Sequence, residues 1–243
     1  MILKVNSVSK SFGGVKALDH CSLEIEKGKI TAIIGPNGSG KSTLFNTISR
    51  LVINDKGNIN FNENKTDGMK PFDVANLGIS RTFQEVRLFK NLTIEEHLNI
   101  ALSFDDEKLI KNLFYKENNF RDRIKEVLNL VELDKPLHTY ASNLSYGQRK
   151  LLDLAIAIAK KHELLMLDEP VAGVNPRLRN EIKSIIRKLN KKGETILLIE
   201  HDMNFVMDLA DKIFVLDAGS VIAEGNPKQI QSNKKVLDAY LGE

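Results

Sequence analysis

One segment constrains this chain more than any other: residues 35–43, GPNGSGKST, set between a nearly continuous apolar run at 29–34 (KITAII) and a helically spaced stretch at 42–50. The segment fits G-x-x-x-x-G-K-[ST], and a buried strand before it and a helix after it are the flanks that motif requires. Its glycines let the backbone curl so that several N–H groups converge on one anion. A helix beginning at Ser42 adds the positive end of its dipole. Lys41 brings a full positive charge to β- and γ-phosphates, and the Ser42 hydroxyl can ligate Mg²⁺. Gly35, Pro36, Asn37, Gly38, Ser39, Gly40, Lys41, Ser42 and Thr43 are therefore the expected phosphate contacts. The motif predicts nucleotide binding and leaves the nucleotide open.

A second element lies at 164–170, LLMLDEP, where two acids follow an apolar strand. Ligands of open α/β sheets bind at that end of the strands. Adjacent strand residues point in opposite directions, but past the strand end the chain can turn. Asp168 can then reach a Mg²⁺ shell while Glu169 faces a water beside the γ-phosphate, orienting it and accepting its proton.

The rest of the chain supplies the frame. Short strands are expected at 2–5, 21–25 and 57–61, and buried strands at 195–199 and 212–216, with a helix from Pro176 to Asn190 opening on proline. From Thr93 to about Val131 the pattern is helical, with Ile94, Leu98 and Leu102 at four-residue spacing and Thr93/Glu96 as a capping box. The run at 105–108 reads as a solvated face or loop. Apolar strands alternating with helices predict an α/β fold with a mostly parallel sheet. The helical middle is then an insertion at 85–160, dividing an α/β core of 1–84 and 161–243 within one domain.

Composition excludes several classes. Of 243 residues, 35 are basic and 32 acidic, a balance of +3 that does not single out nucleic acid or an anionic surface as a partner. No run approaches the ~20 apolar residues that span a bilayer, and no secretory leader is expected at the N-terminus. The one cysteine, Cys21, reads as a small core filler.

A third motif carries a family resemblance. Residues 144–148, LSYGQ, resemble the LSGGQ signature of ABC ATPases, placed before the acid pair in the family's order. Ser145 and the Gly147 backbone precede a helix expected at 148–159, so they can offer donors and a positive helix end to a phosphate. Tyr146 stands where glycine is usual, as in a subset of the family. The resemblance covers essentially the whole chain and implies a RecA-like P-loop NTPase core, an N-terminal antiparallel β subdomain and an inserted helical subdomain. It implies ATP and Mg²⁺ as ligands. Gln84 matches the Q-loop glutamine, touching Mg²⁺ or the attacking water, and His201 the switch histidine that contacts the γ-phosphate. Phe12 falls at the adenine-stacking position, usually tyrosine, and Asn175 where the D-loop usually carries aspartate. His20, His97, His138 and His162 match nothing and read as surface or core.

The resemblance also implies a partnership. In the family two chains pack head to tail, so that Ser145, Tyr146, Gly147, Gln148 and Asn175 close the partner's ATP. The helical insert passes motion to membrane permeases at the cytoplasmic face, with Leu88 and Phe89 either at that contact or in the core. A solute-binding protein outside is engaged only indirectly, and no nucleic acid is expected. The stretches RTFQ at 81–84, AGVNP at 172–176, IEHDM at 199–203 and AYLGE at 239–243 are similar to ATPases of branched-chain amino-acid importers, of the LivG type. Those work beside a paralogue, so the pair is a homodimer in isolation or a heterodimer in the complex. Urea or amide import and lipopolysaccharide export are alternatives within the group. An ABC ATPase of ribosomes or DNA fits less well, because one cassette with a compact insert lacks the second cassette or long coiled coil of those members. A small-molecule kinase would lack the signature.

Overall fold

The computed structural model describes residues 1–103 and 117–241. The chain opens on β1 (Leu3–Phe12) and β2 (Val15–Ile25), antiparallel and joined at Gly13 and Gly14. Both strands run further than the sequence pattern indicates. Three register shifts between Val5 and Ser11 break the two-residue alternation that would have revealed them. Then β3 (Ile30–Ile34) leads through the glycine-rich turn into α1 (Lys41–Ile48). This helix starts one residue before the expected Ser42 and stops short of Arg50, whose φ of 59° is left-handed. A four-stranded antiparallel sheet, ordered β2-β1-β4-β5, is completed by β4 (Lys56–Phe61) and β5 (Asn64–Lys65).

After α2 (Pro71–Asn76) and β6 (Ile79–Arg81) the described residues form the α-helices α3 (Ile94–Ser103), α4 (Glu117–Leu130) and α5 (Tyr146–Ala159). The capping box at α3 forms: Thr93 N–H donates to Glu96 Oε2 at 2.7 Å, and Glu96 N–H to Thr93 Oγ1 at 3.2 Å. The charged run at 105–108 lies outside the described residues. The remainder alternates as β7 (Leu164–Asp168), α6 (Pro176–Lys191), β8 (Thr195–Ile199), α7 (Met203–Leu209) and β9 (Lys212–Asp217). It closes with β10 (Ser220–Gly225), α8 (Pro227–Gln231) and α9 (Lys234–Leu241).

The second sheet is ordered β10-β9-β3-β8-β7-β6, parallel except for its edge strand β10. Its central strands β3, β8 and β7 read as nearly unbroken apolar runs because both of their faces are covered. In β7, Leu164 and Met166 pack with Leu44 and Phe45 of α1 and with the antiparallel sheet, whereas Leu165 and Leu167 pack with Leu152 and Ile182 on the helical side. Ile199 pairs with both Ile33 and Asp168, so β3, β8 and β7 end level with one another. That register brings the turn at 35–40, the acids at 168–169 and the segment at 200–201 to one edge. Cys21 is fully buried and burial pushes its thiol up to about 12, as suits a core filler. Among the described residues no helix is long and apolar enough to cross a membrane.

Candidate active site

Two glycines of the phosphate turn, Gly35 and Gly40, have no room for a side chain. A Cβ on Gly35 would sit 2.0 Å from the Leu216 carbonyl oxygen, and one on Gly40 2.3 Å from that of Ala17. Gly40, at φ 102°, is also the N-cap of α1, which has no side-chain cap. Lys41 is buried and curls back over the turn, donating from Nζ to the carbonyls of Gly35 at 2.7 Å and Pro36 at 2.8 Å. Asn37 and Gly38 are exposed at the crest, Ser39 is buried beneath it, and Ser42 and Thr43 lie in the first turn of α1. Phe12, half-exposed at the β1–β2 turn, has the Lys10 ammonium 5.3 Å from its ring centre.

The two acids at the end of β7 are held differently. Asp168, on the α1 face of the sheet, accepts from Arg81 through Oδ2 at 2.8 Å. Its Oδ1 is buried with no hydrogen-bond partner. Burial pushes this carboxyl up, and Glu169 adds to the effect, against the pull of Arg81. A buried carboxylate oxygen without a donor is suited to a hard cation, and the Ser42 hydroxyl and Gln84 amide are oxygen donors of the same kind. Glu169 turns away at φ 47°, with its N–H donating to the Ile199 carbonyl at 3.0 Å. Its carboxylate lies between Gln84, whose Nε2 donates to Oε2 at 3.0 Å, and His201, whose Nε2 is 2.8 Å from Oε1. Gln84, Glu169 and His201, predicted from segments far apart in sequence, thus converge on one carboxylate.

Four contributors were not legible as site residues. Arg81 spans α1 and β7, donating to Asn46 Oδ1 at 2.8 Å and Ser49 Oγ at 2.9 Å as well as to Asp168. Thr82 Oγ1 accepts the Asp168 N–H at 3.2 Å. Glu200 accepts the N–H groups of Val171 at 2.9 Å and His201 at 3.2 Å, fixing the chain on either side of the catalytic edge, and burial pushes its carboxyl up to about 7. Lys150 is buried, and its Nζ donates to the backbone carbonyls of Gln84 at 3.2 Å and Glu169 at 3.0 Å. The sequence signal for all four is weak, because single charged or hydroxyl residues ordinarily sit on surfaces.

The signature residues form a second patch. Ser145 is the N-cap of α5, and the helix begins at Tyr146 rather than at the expected Gln148. The cause is a capping box: Ser145 Oγ accepts the Gln148 N–H at 3.3 Å, and Gln148 Oε1 accepts the Ser145 N–H at 3.0 Å. Tyr146 donates its hydroxyl to the Ala172 carbonyl at 3.3 Å. Asn175 caps α6 through Oδ1, which accepts the Leu178 N–H at 2.9 Å. Ser145, Tyr146, Gly147, Gln148, Gly173 and Asn175 line one groove, and no residue of 35–43 lines it. The structure therefore brings together the phosphate turn, the acids, Gln84 and His201 in one place, and the signature with Asn175 in another.

A glycine-rich phosphate turn and paired acids on the carboxyl edge of a mostly parallel sheet, with helices entering between β6 and β7, define a P-loop ATPase. The family model for the ABC transporter matches residues 18–172, and the model for the branched-chain amino acid ATP-binding cassette transporter matches residues 220–243. The chain belongs to the ABC transporter family, as one of its ATP-hydrolysing nucleotide-binding cassettes. Among its relatives is the high-affinity branched-chain amino acid transport ATP-binding protein LivG of Salmonella typhimurium, 39% identical over 253 residues, covering 100% of this chain and 98% of the relative. Among solved structures, the ADP conformation of MJ1267, an ATP-binding cassette of an ABC transporter, superimposes with a TM-score of 0.86 at 36% identity, covering 100% of this chain and 99% of that one. The dimeric structure of MJ0796, a bacterial ABC transporter cassette, gives 0.83 at 26% identity over 93% of this chain and 99% of that one.

Proposed function

We propose that this chain is the ATP-hydrolysing subunit of an importer of branched-chain amino acids, acting with a second cassette and docked on permease subunits at the cytoplasmic face of a membrane. The observation that carries the ATPase chemistry is the Glu169 carboxylate, held at both oxygens by Gln84 and His201 beside the phosphate turn. The turn at 35–43 and Lys41 bind the triphosphate, and the half-exposed Phe12 ring stacks on adenine. Asp168, Ser42 and Gln84 would hold Mg²⁺, which would supply positive charge to the phosphate oxygens. Glu169 orients a water and accepts its proton as the new oxygen–phosphorus bond forms and the bridge to ADP breaks. His201 then has its imidazole beside both the base and the γ-phosphate.

The separation of the two patches supports a shared site. Ser145 and the first turn of α5 present a helix N-terminus with no phosphate turn of their own chain beside it. In a head-to-tail pair, two copies or a paralogous pair, that terminus closes on the partner's ATP. The cassette structures of MJ0796 are dimeric. A groove lined by Glu85, Val86, Leu88, Lys90, Tyr146 and Arg149 is the place for a permease segment. Phe89, next in sequence to two lining residues, is 66% exposed with its ring tilted against His97, whereas Leu88 packs partly against the core. The choice of branched-chain amino acids rests on the LivG relatives and on the carboxyl-terminal family match.

Two measurements test this reading. Ser145→Arg chains added in excess should depress hydrolysis by wild-type chains, because every mixed pair has a site without its closing face. Wild-type turnover indifferent to the added chains refutes the shared site. Proteoliposomes holding the co-purified permease should take up leucine, isoleucine and valine with ATP. Uptake of urea or amides instead refutes the substrate class.

A further inference from the structure

We propose that Lys150 is a positioning residue that couples the signature end of α5 to Glu169 of the same chain, so that closure on one nucleotide prepares hydrolysis of the other. Lys150 lies on the signature helix, with the residue 5% exposed and its ammonium between two backbone carbonyls. One belongs to Gln84 and the other to Glu169, the two residues that meet at the base. One turn further along α5, the Asp153 carboxylate accepts the N–H of Phe83. The helix therefore grips the 83–84 backbone from two side chains and the 169 backbone from one.

The grip on Glu169 falls where it matters for orientation. That residue holds a φ of 47°, unusual for a non-glycine residue, and its N–H is bonded to the Ile199 carbonyl at 3.0 Å. With Lys150 on its carbonyl, the backbone is pinned on both sides of its Cα, and the carboxylate inherits that direction. Burying an ammonium is costly unless its protons are bonded, so a space-filling role alone would favour an apolar side chain. Lys150 is also only five residues from Ser145 on one continuous helix, about 7.5 Å along its axis. A displacement of the signature turn is carried through that rigid segment to both carbonyls.

This inference rests on the two-chain reading, under which Ser145 and Glu169 of one chain serve different nucleotides. Lys150→Met and Lys150→Arg, made in the full chain, test it. Lys150→Met should lower kcat by roughly ten- to a hundredfold, the scale of a slightly misplaced catalytic group. It should leave the Kd for a fluorescent ATP analogue with Mg²⁺ unchanged and bring the Hill coefficient for ATP down to that of independent sites. Lys150→Arg, which keeps a cationic donor, should recover most of kcat and of the cooperativity. A folded Lys150→Met with wild-type kcat and Hill coefficient overturns the proposal. So does a joint collapse of Kd and kcat that Lys150→Arg does not repair, since that marks mere scaffolding. Should Ser145→Arg fail to depress wild-type turnover, the two-chain reading itself falls; if it depresses turnover while Lys150→Met is silent, only the coupling role falls.

Discussion

Arg81 and Asp168 form an ion pair at 2.8 Å, with the two side chains 8% and 4% exposed. The guanidinium lies over the rings of Phe45 and Phe83 and takes only Oδ2, leaving the buried Oδ1 for another partner. Arg81→Met should strand a buried carboxylate and cost about 3–5 kcal/mol of stability, read by urea unfolding. With Arg81 gone, the burial that already raises the Asp168 carboxyl is less opposed. The group then ionises only at higher pH, so the Mg²⁺ concentration needed for half-maximal ATPase should rise, most steeply on the acid side. Arg81→Lys keeps the charge without the planar fork and should fall between. An unchanged Mg²⁺ titration in Arg81→Met would detach this pair from the metal.

Glu169→Gln keeps the shape of the side chain and an oxygen for Gln84, while His201 can adapt its tautomer. It removes the carboxylate that the proposed reaction uses as its proton acceptor. Phosphate release should fall by roughly 10²–10⁴, the usual worth of a positioned base. ATP binding should persist, and size-exclusion chromatography with ATP and Mg²⁺ should show a dimer that wild-type protein does not accumulate. Brisk phosphate release by this variant would remove Glu169 from the role of base.

How much of this was legible in the sequence follows from how each feature is encoded. The strand at β7 announces itself because both of its faces are buried, which leaves a continuous apolar run ending in two acids. The phosphate turn is legible because glycines and lysine are required at fixed spacing. Arg81 and Lys150 are hidden because their partners lie as far as 87 and 66 residues away, and nothing local marks a charged residue as buried. The helix α5 starts two residues before the expected Gln148 because the Ser145/Gln148 capping box outweighs the weak helix propensity of tyrosine and glycine. In the same way β6, three residues long, and α2, six, are too short for periodicity to register.

Tyr146 replaces the usual glycine and gives the signature turn a contact to the loop after β7. Its hydroxyl bonds the Ala172 carbonyl at 3.3 Å, and its ring lies 3.4 Å from where a Cβ on Gly173 would stand. Tyr146→Gly should leave the fold intact yet quicken amide hydrogen exchange at 172–175, the loop that Asn175 ends by capping α6. Tyr146→Phe keeps the ring and loses one half-exposed hydrogen bond, worth about 1 kcal/mol or less. Exchange in Tyr146→Gly equal to wild type would mean that the loop holds its shape without the tyrosine.

Asp153 gives stability a pH dependence whose sign is fixed by burial. Burial pushes its carboxyl up to about 7, against the lowering effects of Lys150 and the Phe83 N–H. Because the folded value lies above the unfolded one, the stabilising contribution is fully present below the unfolded value near 3.8 and is lost as pH rises through about 7. Between those limits the ionised form costs the folded state at most about 1.4 kcal/mol per pH unit. Asp153→Asn keeps an oxygen for the Phe83 N–H and cannot ionise. Urea midpoints from pH 4 to pH 8 should therefore fall less steeply in the variant than in wild type, with the curves diverging most between pH 5 and pH 7. Parallel curves would mean that Asp153 stays ionised throughout, held by Lys150 more firmly than burial opposes it.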